Sequence, residues 1–419
     1  MTETALPITP DGGPPPATAR YAARREAILV AATGILNRQG VKGMTLAGVA
    51  AEVGLITTSV TYYFRRKEDL AAACFLRGIE AFEDLVTRSA GAPDARSRLD
   101  LFLELFFDLS RRVRLKEAPP IVSFSEMRSL KEPHHAEVTG AFTDMFRRVR
   151  GFFDAPEFAG LSRAEANART HLLLEQAFWT FSWLRRYDVE DYPRLRERMS
   201  DILTGGLASK SRSWAPPALP RLTEDASGET GGEVSRQTFL TAATRLINQR
   251  GYRGASVEDI SAALNVTKGS FYHHNEDKDD LVLACFDRTF TVLRAAQLAA
   301  RDLKADQWTR LAAAASALTE FQLSEDGPLL RGSSMTALPI EVRQDISDRY
   351  ARVSDRFAGM ISDGIAEGSI RPVDPLVAAH MLNALLNAAA SMGAWVTGLE
   401  KDEAAGLFVR PLLLGLFTR

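Results

Sequence analysis

The chain has 419 residues, enough for two ordinary domains each with its own core. Its 46% hydrophobic and 25% charged residues are the balance of a globular protein, and a net charge of −2 gives no bulk sign of a polyanionic partner. Two cysteines exclude a disulfide framework and point to a reducing compartment.

Residues 1–19 are rich in Pro, Thr and Gly and read as a disordered tail. Met1-Thr2-Glu3-Thr4 lacks the basic and apolar regions of a signal peptide. Helical patterns run from Tyr21 to about Lys210, break over 211–233 at Pro216, Pro217, Pro220, Gly228, Gly231 and Gly232, and resume at Val234. The apolar stretch Leu172 to Leu184 is interrupted by Glu175 and Gln176 and is too short to span a bilayer. Alternating strand patterns are absent, so the expected fold is all-α in two similar halves joined by a linker. The expected divisions are 20–80 and 81–210 in the first half, and 234–290 and 291–419 in the second.

Within the first half, helix 1 is expected from about Arg24 to Gln39, with Ile28, Ala31, Ala32 and Ile35 on one face and Gly40 as the C-cap. Thr45, and Ser256 in the second half, stand where they would N-cap helix 2. Gly54 and Asn265 follow, two residue types that tolerate the positive φ of a tight inter-helix turn. A short helix 3 is expected over Thr57 to Tyr63 and Lys268 to His274. Helix 4 opens at Lys67-Glu68-Asp69-Leu70 and Lys278-Asp279-Asp280-Leu281, with acids where the helix dipole favours them.

These parallels are one repeat. Residues 24–77 align without a gap on 235–288 at an offset of 211, with 17 identities in 54 positions. Asn37/Asn248, Gly40/Gly251, Ser59/Ser270, Cys74/Cys285 and Arg77/Arg288 are among them. A repeat of this length means two copies of one domain. Two short helices joined by a tight turn would set the second in a DNA major groove. With Val53-Gly54-Leu55, Tyr62-Tyr63-Phe64, Lys67 and Leu70 in one copy, and Val266-Thr267-Lys268-Gly269-Ser270-Phe271-Tyr272-His273-His274, Lys278 and Leu281 in the other, the pattern resembles the TetR family of transcriptional regulators. The first copy departs from that pattern at Thr57-Thr58 and Thr61. The second departs at Asn275, where Phe64 stands in the first.

The expected partner of both heads is a double-stranded DNA operator. Thr45, Thr57, Thr58 and Ser59 in the first copy, and Ser256, Lys268, Gly269 and Ser270 in the second, would meet phosphates from helix N-termini. Thr61, Tyr62 and Tyr63, and Tyr272, His273 and His274, would reach base edges, thymine methyls or phosphates. Arg65, Lys67 and Lys278 add charge. Residues 20–70 carry eight Lys/Arg against four acids, or +4, whereas 235–281 carry six of each, or 0. The first head is therefore expected to supply more of the sequence-independent affinity. Because the two heads differ, the expected operator is asymmetric.

The resemblance implies a helical regulatory part that binds a small molecule and pairs through its last two helices. The candidate pairs are Ala164 to Tyr187 with Tyr192 to Leu207, and Asp374 to Leu399 with Asp402 to Phe417. Their expected contact lies between the halves of one chain, an intramolecular pseudo-dimer that leaves room for a further homodimer. Phe106, Phe124, Phe146, Phe178, Trp179 and Trp183 are the candidate lining for a small apolar effector, with plain core packing as the alternative. His134-His135 and His171 lack metal-ligand spacing, and no nucleophile elbow or nucleotide loop is present, so neither a metal, a cofactor nor an enzyme is expected. The expectation is a cytoplasmic, nucleoid-associated repressor without a membrane partner. The alternative is a helical small-molecule-binding protein whose DNA binding has become degenerate or non-specific.

Overall fold

The computed structural model describes residues 17–209, 212–223, 236–252, 254–265 and 278–418. Among these the chain is helical, with a single isolated antiparallel bridge between Ala208 and Ile370. The first unit holds α1 (Ala17–Gly43), α2 (Leu46–Glu52), α3 (Thr57–Tyr63), α4 (Lys67–Ala90), α5 (Ala95–Arg114), α6 (His134–Arg150), α7 (Arg163–Trp183) and α8 (Tyr192–Gly205). The second holds α9 (Arg236–Arg250), α10 (Val257–Ala263), α11 (Lys278–Asp302), α12 (Gln307–Leu323), α13 (Ile340–Ala366) and α14 (Pro375–Ala389). It closes with α15 (Lys401–Ala404), a π turn over Ala405–Val409, and α16 (Arg410–Leu414).

Helix α1 begins at Ala17, ahead of the expected start, so three residues assigned to the tail are helical. Ile28, Leu29, Ala32, Ile35 and Leu36 form its buried stripe. The helix breaks at Gly40, whose φ of 67° is costly for any residue with a Cβ. Gly54 (φ 66°) and Asn265 (φ 54°) hold the same left-handed turn in the two copies, as their residue types predicted. The last expected helix, Asp402 to Phe417, is broken into three. Pro411 has no N–H to give the carbonyl one turn back, and the helix widens just before it, with the Arg410 N–H reaching Ala405 O.

Three repeated polar residues make the same contacts in both units. Asn37 donates to Ile121 O and accepts from Ser123 N, each at 2.8 Å. Asn248 donates to Leu329 O at 2.8 Å and accepts from Arg331 N at 3.1 Å. Each amide thus fixes its head's first helix to the segment that follows α5 in the first unit and α12 in the second. Arg77 donates to Pro120 O at 3.0 Å, and Arg288 to Pro328 O at 3.0 Å. The Cys74 and Cys285 thiols point at Leu29 O and Leu240 O, 3.7 and 3.6 Å away.

The units meet along the helices expected to pair. Across this seam Gln176 of α7 donates to Met381 O of α14 at 2.9 Å, and the His171 ring lies 3.1 Å from Ala388 O. Arg169 donates to Leu416 O at 3.0 Å and Thr418 O at 2.9 Å, capping carbonyls at the C-terminal end. Arg371 bridges to Asp201 at 2.9 Å. The Phe146 ring stacks on Trp395 at 3.7 Å between centroids. The linker lies on the second unit over its described part, held by Arg212 to Asp306 and by Arg221 to Asp326 at 3.1 Å.

Candidate functional site

In the first head the turn after α2 presents α3 outward. Thr45 caps α2, its hydroxyl accepting from Gly48 N at 3.0 Å. Val60 is wholly buried and pins α3 to the head's core, with Phe64 closing the turn beneath the Arg25 guanidinium, 5.3 Å above its ring. That anchoring leaves Thr57 and Thr58 exposed at the helix N-terminus and Tyr62 standing 75% exposed. Ser59 and Thr61 are half-buried, and Thr61 donates to Thr58 O at 2.9 Å. Arg65 and Arg66 are exposed at the end of the same segment.

Two expected contacts are already engaged within the protein. Tyr63 packs on Tyr21 at 4.8 Å between centroids and on Tyr62 at 5.2 Å. Lys67 donates to Lys42 O at 3.3 Å. Tyr21 was not singled out from the sequence, because α1 was expected to start beyond it. It lies with Tyr62 and Tyr63 in one aromatic cluster beside α3, and exposed Ile56 precedes that helix. Of the eight basic residues counted over 20–70, Arg38 is paired with Glu52 at 3.4 Å and Arg66 with Asp69 at 4.0 Å.

In the second head Ser256 caps α10 in a reciprocal box with Asp259, its hydroxyl accepting from Asp259 N at 3.1 Å. Hydrogen bonds from Ser256 and the nearby Arg250 hold the Asp259 carboxyl below its ordinary pKa. Lys278 sits 4.3 Å from the Tyr252 ring centroid and donates to Tyr252 O, while the Tyr252 hydroxyl donates to Asp279. Lys278 is thereby turned toward its own head. Lys268, Gly269, Ser270, Tyr272, His273 and His274, with Asn275, lie outside the described residues.

The six aromatics expected to line an effector pocket fall into two groups. Phe106, Phe124 and Phe178 pack with Phe82 at centroid distances of 5.9, 5.8 and 5.2 Å. Phe146, Trp179 and Trp183 reach across the seam to Trp395, Tyr350 and His380, at 3.7, 6.3 and 5.1 Å. Trp395, which the sequence assigns to the other half, is therefore part of the first unit's aromatic cluster.

A small cavity of about 10 Å³ lies in the second unit, bordered by Thr289, Gln322, Arg331, Tyr350, Asn383 and Asn387. It has room for about one water molecule. At its edge the Arg331 Nε and one terminal nitrogen are buried without a hydrogen-bond partner among the described residues. Burial and the neighbouring Arg128 push the Arg331 pKa down to about 10. No group of three metal-ligating side chains is found among the described residues, and no described helix is long and apolar enough to cross a membrane.

Comparison with known proteins meets this geometry at both heads. The sequence profile of the family "Bacterial regulatory proteins, tetR family" matches residues 28–74 and again 239–285. The chain is 31% identical over 139 residues to the HTH-type transcriptional repressor DhaR of Mycobacterium sp. (strain GP1), covering 32% of this chain and 70% of that protein. It is 26% identical over 191 residues to the HTH-type transcriptional regulator YhgD of Bacillus subtilis (strain 168), covering 43% and 96%. Among solved structures, AibR in complex with isovaleryl coenzyme A and operator DNA is 26% identical, with a TM-score of 0.34, over 43% of this chain and all of that one. Two profile matches, each on a capped helix-turn-helix at the head of a helical body, make the assignment: the chain belongs to the tetR family of bacterial regulatory proteins and carries two of its units fused end to end.

Proposed function

We propose that the chain is a ligand-responsive, cytoplasmic repressor that reads an asymmetric operator with two unlike heads. The units act as an intramolecular pseudo-dimer, each half supplying what a homodimer takes from a second copy. The observation that carries this reading is the pair of family matches on heads whose bodies are joined by Gln176–Met381, His171–Ala388 and Phe146–Trp395. In the first head Thr57, Thr58, Ser59, Arg65 and Arg66 meet phosphates, and Thr61 and Tyr62 reach the bases. In the second, Lys268, Gly269 and Ser270 take the phosphate role, and Tyr272, His273 and His274 the base-reading role. Thr45 and Ser256 contribute mainly by fixing their helices.

Repression is the sign carried by the name of DhaR, to which the chain is 31% identical over 139 residues. An effector would act by favouring a spacing of the heads that does not fit the operator. The coupling element is the Asn37 and Asn248 amide clamps, which join each head to its body.

Selection of genomic fragments by the full chain at near-physiological salt tests the reading. A single enriched site with two different halves is expected. A perfect palindrome overturns the two-headed reading, and no enriched site favours a ligand-binding protein with degenerate DNA contacts.

A further inference from the structure

The outer face of the second unit carries a concentration of positive charge that its repeat partner lacks. Helices α11 and α13 form a groove of about 450 Å³, lined by Phe290, Arg294, Leu298, Arg349, Arg352 and Arg356, with Thr291, Ala295 and Val353 between them. That volume lies in the range of small-molecule sites. Helical spacing puts 290, 294 and 298 on one face of α11, and 349, 352, 353 and 356 on one face of α13.

Arg349 is engaged, with Asp287 at 2.5 Å and with the Phe290 ring 4.3 Å below its guanidinium. Arg294, Arg352 and Arg356 form no hydrogen bond or ion pair among the described residues. Burial lowers the Arg356 pKa, and Arg294 and Arg352 add to the effect by like-charge repulsion, with Asp355 opposing it. Such a cluster is an unfavourable arrangement that an anion would relieve.

The first unit shows the same place without the excess charge. At the repeat offset, Arg294 corresponds to Glu83, and Glu83 is paired with Arg148 of α6 at 3.3 Å. One unit is self-neutralised where the other leaves arginines facing each other.

We infer that the α11–α13 groove binds a soluble small molecule with a phosphate-type anionic head and an apolar tail. The guanidiniums of Arg294, Arg352 and Arg356 take the head, since planar forked donors match phosphate oxygens in pairs. Half-buried Ala295 and Leu298 supply the apolar floor, over buried Phe290 and Val353. The inference concerns binding alone and goes beyond the operator reading, so it stands or falls without DNA.

The test is calorimetry on the full chain with three probes: decyl phosphate below its micellar concentration, decanol, and inorganic pyrophosphate. Decyl phosphate is expected to bind more tightly than either of the others. The double variant Arg294→Glu/Arg352→Glu, whose first change restores the acid found at the first unit's Glu83, should weaken it by about tenfold or more. Arg352→Gln alone should give a smaller loss in the same direction, and serves if the double variant does not fold. Equal binding by variant and wild type overturns the site. No binding at millimolar decyl phosphate, or pyrophosphate binding as tightly as decyl phosphate, overturns the soluble amphiphile.

Discussion

Arg128 in the first unit donates a 3.1 Å hydrogen bond to the backbone carbonyl of Asn248, in the first helix of the second head. Ser129 beside it donates to Arg250 O at 3.2 Å. The body of one unit therefore touches the head of the other, in addition to the seam between bodies. Arg128 is largely buried, which lowers its pKa, and the Glu175 carboxylate nearby offsets part of that cost. Replacing Arg128 with Ala should lower the stability of the chain by about 1–3 kcal/mol, the scale of a lost charged hydrogen bond. It should also raise hydrogen exchange at α9 more than at α1. Equal exchange at both helices would show that this contact does not brace the second head.

The amide clamps make a paired prediction. Asn37→Ala and Asn248→Ala each remove two hydrogen bonds to loop backbone and strand the partners. Each should cost about 1–3 kcal/mol in urea unfolding. Asn248→Ala should be the worse of the two, because Asn248 is buried and Arg128 and Arg331 converge on its backbone and side chain. The reverse order would argue against that convergence.

Charge on the first head should be visible in salt dependence. Arg65 and Arg66 are exposed, whereas Lys278 is committed to Tyr252. Neutralising both arginines should reduce the slope of log affinity against log salt by up to about 1.8, or 0.9 for each phosphate contact. Lys278→Gln should change it little. Matching slopes for the two variants would contradict the assignment.

The seam should weaken in acid. His380 is stacked on Trp183, and burial, helped by Arg186, lowers its pKa to about 4 against Asp374, which acts in the opposite sense. Burial likewise lowers the pKa of His171 on the same seam, with Arg331 and Arg128 adding to the effect and Glu175 opposing it. The folded state then binds fewer protons than the unfolded chain, so the contribution is complete above the unfolded value near 6.5 and is lost as pH falls towards 4. For His380 the whole effect is at most about 3 kcal/mol. Urea midpoints at pH 7.5 and 5.0 should show the loss, and His380→Gln should reduce it. A pH-independent midpoint would sink the idea.

Both thiols should be inert in the native chain. Burial pushes Cys74 and Cys285 up to a pKa of about 11 each. At pH 8 an aromatic disulfide reagent should label neither until denaturant is added. Rapid labelling of one would mark that head as opening locally.

The repeat, the caps and the turns were legible because each depends on residues close in sequence. Thr45 and Ser256 announce their helix starts by side chains that reach three residues ahead, and Gly54 and Asn265 announce a backbone conformation by residue type. The repeated Asn, Cys and Arg were visible as identities, but not what they hold, since Asn37 reaches 84 residues to Ile121. The effector lining was the least legible part. An aromatic ring at helical spacing looks the same in sequence whether it borders a ligand, a core or a second unit, and Phe146 and Trp183 prove to face the second unit. The linker was expected from its prolines as a spacer, yet Arg212 and Arg221 find Asp306 and Asp326, carboxylates that only the folded second unit presents.

The stack of Phe146 on Trp395 is made by one ring from each half, at positions the chain encodes separately. In a pair of identical subunits every mutation enters the contact twice, on both sides of the symmetry axis, and must be tolerated in both places at once. A seam whose two faces are encoded independently can change one face at a time. The two heads are likewise encoded separately, so the divergence of Thr57-Thr58 from Lys268-Gly269 is a kind of change that a gene encoding only one unit could not record.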